Sequence, residues 1–226
     1  MQNLTDNDIK MIHRSPLFRN LDAEQLIPSL HGRISSFSEG SFLVQEGERI
    51  DRIWIVLSGT LHASHHTSTG REFLYQLLTP SNLAGGEIAC TPRKTCPYCI
   101  YTASPCRLWS FPWSNVESDQ LPTVQRMSLI QNMLTFISNQ NIQKYYKIEA
   151  LSVKSARERI MNYLTAQSKR TNSSSFYISM DREAMANYLC LNRSVLSHEL
   201  KKMEADGLLT FYRNHFTLLN HSKPKT

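Results

Sequence analysis

The chain reads as an α+β protein, with a β roll in front, a long helix behind it and a winged helix-turn-helix at the end. Three observations predict this order. Gly40, Gly47, Gly59 and Gly70 recur through short apolar runs that extend from Ile34 to about Trp113. Met127, Ile130, Leu134 and Ile137 then follow a 3-4-3 spacing. Finally, Met180 to Asn220 has the pattern of helix, turn of three to four residues, helix and short hairpin.

The first 35 residues are expected to be helical with breaks. Asp22 followed by Gln25 has capping-box spacing ahead of Leu26 and Leu30. The texture then changes to runs such as SFLVQEG, RIWIVLSGTLHAS and REFLYQLL, cut by Gly, Ser, Pro and Asn. Alternation that sets Ile53, Ile55 and Leu57 on one side is a strand signal. The four glycines lie 7, 12 and 11 residues apart. That rhythm suits a β roll whose turns need residues free to adopt positive φ. Residues 1–120 are therefore assigned to a β-roll sensor domain with N-terminal helices.

Residues 121–149 form the expected long helix, opening after Leu121-Pro122. Its apolar seam continues through polar Asn141 and Lys144 to Ile148. A stripe of this kind on a helix leaving a compact β domain needs a covering surface. A second copy of the chain is the expected cover, and the chain's own β domain is the alternative.

Residues 150–226 form the third region. Leu151 to Gln167 is expected as an amphipathic helix, KRTNSSS as a loop and FYISM as a short strand. Asp181 is placed to cap a helix in which Met185, Tyr188 and Leu189 face inward. Cys190 to Asn192 make the turn, and Asn192 caps the next helix. In that helix Val195, Leu196, Leu200 and Met203 form the apolar side. Ser194, Ser197, His198, Lys201 and Lys202 form the polar side. LLTFYRNHFTLL sets two apolar strands around Arg213-Asn214-His215, which makes a wing.

This build inserts its second helix into a DNA major groove. Arg193 at the helix start can reach a guanine edge or a phosphate. Ser194, Ser197 and His198 suit base edges, Lys201 and Lys202 suit backbone phosphates, and Arg213 at the wing tip suits the backbone or the minor groove. A core-forming helix pair with a solvated basic face is the alternative. Charge placement favours the DNA reading, since residues 147–226 carry 13 Lys and Arg against 7 Asp and Glu, and residues 1–146 carry 12 of each. No run of 18 apolar residues predicts a membrane span, and MQNLTDNDIK lacks the order of a signal peptide, so the cytoplasm is the expected location. No Ser-His-Asp order, HExxH, P-loop or dinucleotide signature points to an enzyme.

SPLF (Ser15 to Phe18), FSEGSFLVQEGERIDRIWIVLSGTL (Phe37 to Leu61), TGREF (Thr69 to Phe73), GGE (Gly85 to Glu87) and NRSVLSHELKKMEADGLL (Asn192 to Leu209) occur in the order found in the Crp/Fnr family. The chain resembles those bacterial transcription regulators over nearly its whole length. The resemblance implies a cyclic-nucleotide-binding-like front domain and homodimers on near-palindromic double-stranded promoter sites, with RNA polymerase as a further partner. It places Arg193 where the cyclic-AMP receptor branch has its first base-contacting arginine. Ser194 stands in place of the usual glutamate and His198 in place of the second arginine, so a different operator is expected.

Cyclic-nucleotide binders of this family use a Gly-Glu pair and a later Arg-Ser or Arg-Thr. Gly86-Glu87 matches the first pair, but the second falls near Pro97-Tyr98, where no arginine stands. A buried cyclic phosphate needs a neutralising donor. A cyclic nucleotide is therefore not the expected effector. Gly86, Glu87, Tyr98 and Tyr145 remain candidates for a pocket of other chemistry. No cysteine precedes Cys90, so the N-terminal iron-sulfur site of the oxygen-sensing branch is absent. His62, His65 and His66 read as an exposed strand end rather than haem ligands. Cys96 and Cys99 form a CxxC pair that could bind metal or close a redox disulfide, and Cys90 and Cys106 could complete four thiolates. Their spacing departs from standard knuckles, and Cys106 falls in a core strand by pattern. Metal or thiol redox sensing, a structural role and an unidentified small ligand all stay open. Cys190 is expected in the core.

Overall fold

Helix α1 (Asp6–His13) opens on a capping box, in which the Asp8 carboxylate accepts from the Thr5 amide at 2.9 Å and the Thr5 hydroxyl accepts from the Asp8 amide. The structure, a computed structural model, describes residues 4–219, so Asn220 of the expected wing lies outside the described residues. A 3₁₀ turn at Pro16–Phe18 leads to α2 (Ala23–Leu30). Asp22 caps α2 through the Glu24 amide at 3.0 Å, without the reciprocal partner expected at Gln25.

The front of the chain then forms β1 (Arg33–Phe37), β2 (Phe42–Val44), β3 (Arg52–Ser58), β4 (Leu61–His66), β5 (Glu72–Leu78) and β6 (Leu83–Ala84). A short α3 (Gly86–Ala89) precedes β7 (Cys99–Thr102), β8 (Cys106–Pro112) and α4 (Ser114–Glu117). The strands make two antiparallel sheets, ordered β1-β8-β3-β6 and β2-β7-β4-β5. This is the expected β roll.

The alternation read in β3 holds, with a consequence that polarity did not reveal. Ile53, Ile55 and Leu57 join Trp109, Phe111 and the helical Ile12, Leu17 and Phe18 in an outer core. Trp54 and Val56 turn the other way and meet Leu61, Ile100 and Leu108 between the sheets. Both faces of β3 are buried because helices cover the outside of its sheet. All four recurring glycines adopt positive φ. Gly59 has the strictest need, since an added Cβ would lie 2.3 Å from the Pro105 carbonyl oxygen at φ +84.

Helix α5 (Thr123–Ser152) is shifted two to three residues beyond the expected bounds and carries two apolar stripes. Leu129, Met133 and Phe136 enter the outer core, and the Asn132 amide donates to the carbonyls of Leu17 and Arg19 at 2.9 Å. The 3-4-3 seam lies mostly on a different face, with Met127 60% and Leu134 64% exposed. The helix thus packs on its own β domain, taking Ile137 from the seam but leaving Met127, Ile130 and Leu134 exposed. The chain divides into two compact units between Gln140 and Asn141, within α5.

The second unit continues with α6 (Ala156–Thr171), β9 (Ser175–Tyr177), α7 (Arg182–Tyr188), α8 (Arg193–Ala205), β10 (Leu209–Tyr212) and β11 (His215–Leu218). Residues expected to loop from Lys169 continue α6, which ends where Asn172 takes a left-handed conformation at φ +50. The order β10-β11-β9 makes a three-stranded sheet beside the helices. Ile160, Leu164, Met185, Leu189, Leu196, Leu200, Met203 and Phe216 are buried. Among the described residues no helix is long and apolar enough to cross a membrane.

Candidate functional site

Helix α8 turns Leu196, Leu200 and Met203 inward, and Ser194, His198, Lys201 and Lys202 are exposed beside Arg193 at its start. Ser197 is half-buried on the flank. Val195 is a correction to the expected apolar side, because it is 39% exposed. At about 100° per residue, position 195 falls outside the arc spanned by the three core residues. Asn192 occupies the N-cap position, yet its side chain makes no capping bond. The expected side-chain cap is therefore not formed, and the first-turn amides remain available to an anion.

The basic side chains are lightly held. Arg193 Nε lies 3.8 Å from Glu183 and Lys202 Nζ lies 3.8 Å from Glu199. Both partners of the Arg193 pair are exposed, and such a pair contributes about 0–1 kcal/mol, so a phosphate can displace the Glu183 carboxylate. Arg213 is exposed at the tip of the β10–β11 hairpin, where Tyr212 pairs with His215 and Arg213 adopts φ +52.

Arg182 joins the tip to the helix pair. Its guanidinium carbon sits 5.2 Å from the Phe211 ring centre and 5.0 Å from that of Phe216, and its Nη2 donates to the Arg213 carbonyl. Burial lowers its pKa from the ordinary arginine value. Asp181, Arg182, Glu183, Arg193, Arg213 and Asn214 line an open cleft among the starts of α7 and α8 and the wing tip. Arg182 stands in the first turn of α7. Its partners lie about thirty positions away and leave no local signal.

The turn between α7 and α8 is also braced. Arg159 Nη1 donates to the carbonyls of Leu189 at 3.1 Å and Cys190 at 3.3 Å, satisfying the C-terminal end of α7. Cys190 is half-buried at φ +55, short of the core position expected. Lys147 of α5 sits 3.8 Å from the Tyr188 ring centre, and burial lowers its pKa to about 8.

In the first unit, Gly86 and Glu87 open α3. An added Cβ at Gly86 would meet Met133 of α5 at 3.2 Å. The Tyr98 hydroxyl donates to Glu87 Oε1 at 2.5 Å. Burial first, and the Glu87 carboxylate second, push the Tyr98 phenol far above its ordinary range. The Tyr75 ring lies 5.8 Å from Tyr98. Arg107 belongs to β8, where its Nη2 donates to the buried Asp8 at 2.8 Å, and Arg93 is exposed in a loop. Tyr145 is 68% exposed, with its ring against Tyr146.

The cysteines do not gather as a four-thiolate site. Among the described residues no group of three or more His, Cys, Asp or Glu side chains is arranged to hold a metal ion, and all five cysteines are free. Cys96 is buried between the sheets, its thiol donating to the Tyr98 carbonyl at 3.0 Å. Cys106 points into the same core, 3.2 Å from the carbonyls of Thr60 and Ser104. Cys99 is half-buried and Cys90 exposed. Burial pushes the Cys96 thiol up to about 11, which leaves it protonated and weakly nucleophilic at neutral pH.

His62 corrects the expectation of an exposed strand end. Its Nδ1 lies 3.0 Å from the Tyr101 hydroxyl and 3.3 Å from Glu72, and the Tyr101 hydroxyl donates to Glu72 at 2.7 Å. Burial raises the Glu72 pKa, but hydrogen bonds from His62 and Tyr101 outweigh it and bring the carboxyl to about 2. His65 pairs with Glu46 at 2.8 Å, and His66 is exposed.

Comparison with known proteins matches a cyclic nucleotide-binding domain over residues 34–118 and a Crp-like helix-turn-helix domain over residues 158–223. The transcriptional activator protein anr of Pseudomonas aeruginosa is 23% identical over 202 residues, spanning 86% of this chain and 80% of its own length. A CooA variant from Carboxydothermus hydrogenoformans is similar at a TM-score of 0.71 and 15% identity, covering 96% of this chain and 94% of that one. FixK2 from Bradyrhizobium japonicum is similar at a TM-score of 0.66 and 17% identity, covering 84% of this chain and 94% of its own. At these identities the two structures show a shared fold.

Proposed function

Because the chain belongs to the Crp/Fnr family, whose members are DNA-binding regulators and not enzymes, we propose that it is a sequence-specific transcription regulator acting as a homodimer. Its β roll reads a signal that sets how the winged helix-turn-helix engages DNA. The observation that carries this reading is the outer face of α8. Arg193, Ser194, His198, Lys201 and Lys202 are exposed together beside a helix N-terminus with no side-chain cap. Arg193, Ser194, Ser197 and His198 read base edges, and Lys201, Lys202 and Arg213 engage phosphates. Residues 1–120 act as sensor, 121–149 as dimerisation helix and 150–226 as DNA-binding domain. The exposed seam on α5 supports the dimer, and two-fold symmetry would match a near-palindromic site. RNA polymerase is the further partner, and the cytoplasm is the place of action.

The signal is a small ligand other than a cyclic nucleotide. Glu87 already accepts a bond from Tyr98, and a cyclic phosphate beside that carboxylate would meet no arginine at Pro97-Tyr98. Gly86, Glu87 and Tyr98 form the ligand-responsive part. A second reading, thiol redox or metal sensing at Cys96 and Cys99, is favoured by the half-buried Cys99 at the start of β7. The buried, protonated Cys96 weighs against it.

Binding of the full-length protein to sheared genomic DNA, followed by selection of an operator, tests the main reading. The expected result is a two-fold-related site with affinity falling steeply as salt rises from about 50 to 200 mM. Absence of salt-dependent binding would overturn it.

A further inference from the structure

We infer that Arg182 is a positioning residue for DNA binding, clamping the wing tip so that Arg213 is presented to a backbone phosphate. This rests on the reading of α8 and the wing as the DNA interface. Arg182 reaches the wing in two ways. Its guanidinium lies over Phe211 and Phe216, one from each strand of the hairpin, and its Nη2 donates to the Arg213 carbonyl. Arg213 needs such a hold. A non-glycine residue at φ +52 is disfavoured on its own and persists when surrounding contacts fix it. The Ile178 amide, donating to the Asn214 carbonyl at 2.9 Å, holds the adjoining residue from β9's side of the sheet.

Local stability does not account for an arginine at this position. It stands in the first turn of α7, where the helix dipole disfavours a cation. Its Nη1 is enclosed without a hydrogen-bond partner, which adds a desolvation cost. A residue that opposes local rules is explained by what it holds in place. Here that is the backbone of the exposed basic tip, fixed against the first helix of the reading pair. The flat guanidinium can stack on rings and donate in its own plane at once, which a lysine ammonium cannot.

A double-mutant cycle on the full-length protein and its selected operator tests this, with affinity measured at several salt concentrations. Arg182→Met and Arg213→Ala are each expected to weaken binding roughly three- to tenfold and to lower the salt slope by about one per half-site. Together they should do no more than either alone, because both remove the same phosphate contact. Lys201→Ala should keep its full effect in the Arg182→Met background, and Arg182→Lys should not restore affinity. Additive losses would overturn the inference, because Arg182 would then touch DNA itself. An unchanged affinity in Arg182→Met would overturn it too, as would loss of the Lys201 effect with a lowered melting temperature. Failure of the DNA reading is distinguishable, since the unsubstituted protein would then show no salt-dependent binding.

Discussion

Replacing Leu134 by alanine should weaken self-association while leaving the folded chain intact. Leu134 is 64% exposed on α5, in line with Met127, whereas Leu129 on the opposite stripe is buried in the outer core. Fully burying a leucine side chain is worth about 1.5–3 kcal/mol. The exposed share of Leu134 therefore has about 1–2 kcal/mol left to gain from a partner. Two-fold symmetry doubles this to about 2–4 kcal/mol per dimer, or roughly 30- to 1000-fold in the dissociation constant. Sedimentation across a dilution series reads that constant, and circular dichroism reads the fold. Leu129→Ala is the contrasting substitution, expected to cost about 2–5 kcal/mol of stability through a cavity in the outer core. A Leu134→Ala protein that dimerises within about twofold of the parent would refute the seam, given the tenfold-per-1.4 kcal/mol scale. Loss of structure in Leu134→Ala would refute the claim that this side chain is spare.

Gly59→Ala should destabilise the first unit by about 2–4 kcal/mol in chemical denaturation, because positive φ and the Pro105 carbonyl both oppose a Cβ there. Gly70→Ala, with open space around it, should cost about 1 kcal/mol, and equal costs at the two sites would contradict the clash. Tyr98→Phe should lower the melting temperature by removing the donor to Glu87, an effect of about 1–3 kcal/mol; an unchanged transition would show that the bond contributes nothing. The Glu72 carboxyl sits at about 2 in the folded protein against an ordinary 4.5. A depressed carboxyl pKa contributes stability present above the ordinary value and lost as pH falls towards the folded one. Acid unfolding should therefore steepen between about pH 4.5 and 2, and Glu72→Gln should flatten that dependence. Superimposable acid profiles for the two proteins would contradict this assignment.

Much of the architecture is legible from neighbours along the chain. Asp181 caps α7 by accepting from the Ala184 amide at 2.8 Å, as a capping residue just ahead of the apolar pattern predicts. Positive-φ glycines, the alternation in β3 and the helix pair follow from short-range periodicity in the same way. These features depend on backbone geometry within a few residues, so residue type and spacing report them directly. Val195 went astray for a related reason: an apolar residue near helical spacing carries no mark of whether it falls inside the core arc.

The remaining features depend on which distant surfaces meet. Helix α5 spends Leu129, Met133 and Phe136 on its own β roll, leaving Met127, Ile130 and Leu134 of the predicted seam uncovered, and both stripes are equally apolar in the sequence. Tyr98 takes Glu87 across an eleven-residue separation, Arg107 takes Asp8 across ninety-nine, and Cys96 is buried where a CxxC suggested access. Arg182 finds Phe211, Phe216 and the Arg213 carbonyl only once the wing folds back on α7. Local chemistry sets which groups a chain can offer and which face of an element carries them. Long-range packing selects their partners, because burial and charge satisfaction are properties of the assembled core and have no period along the chain.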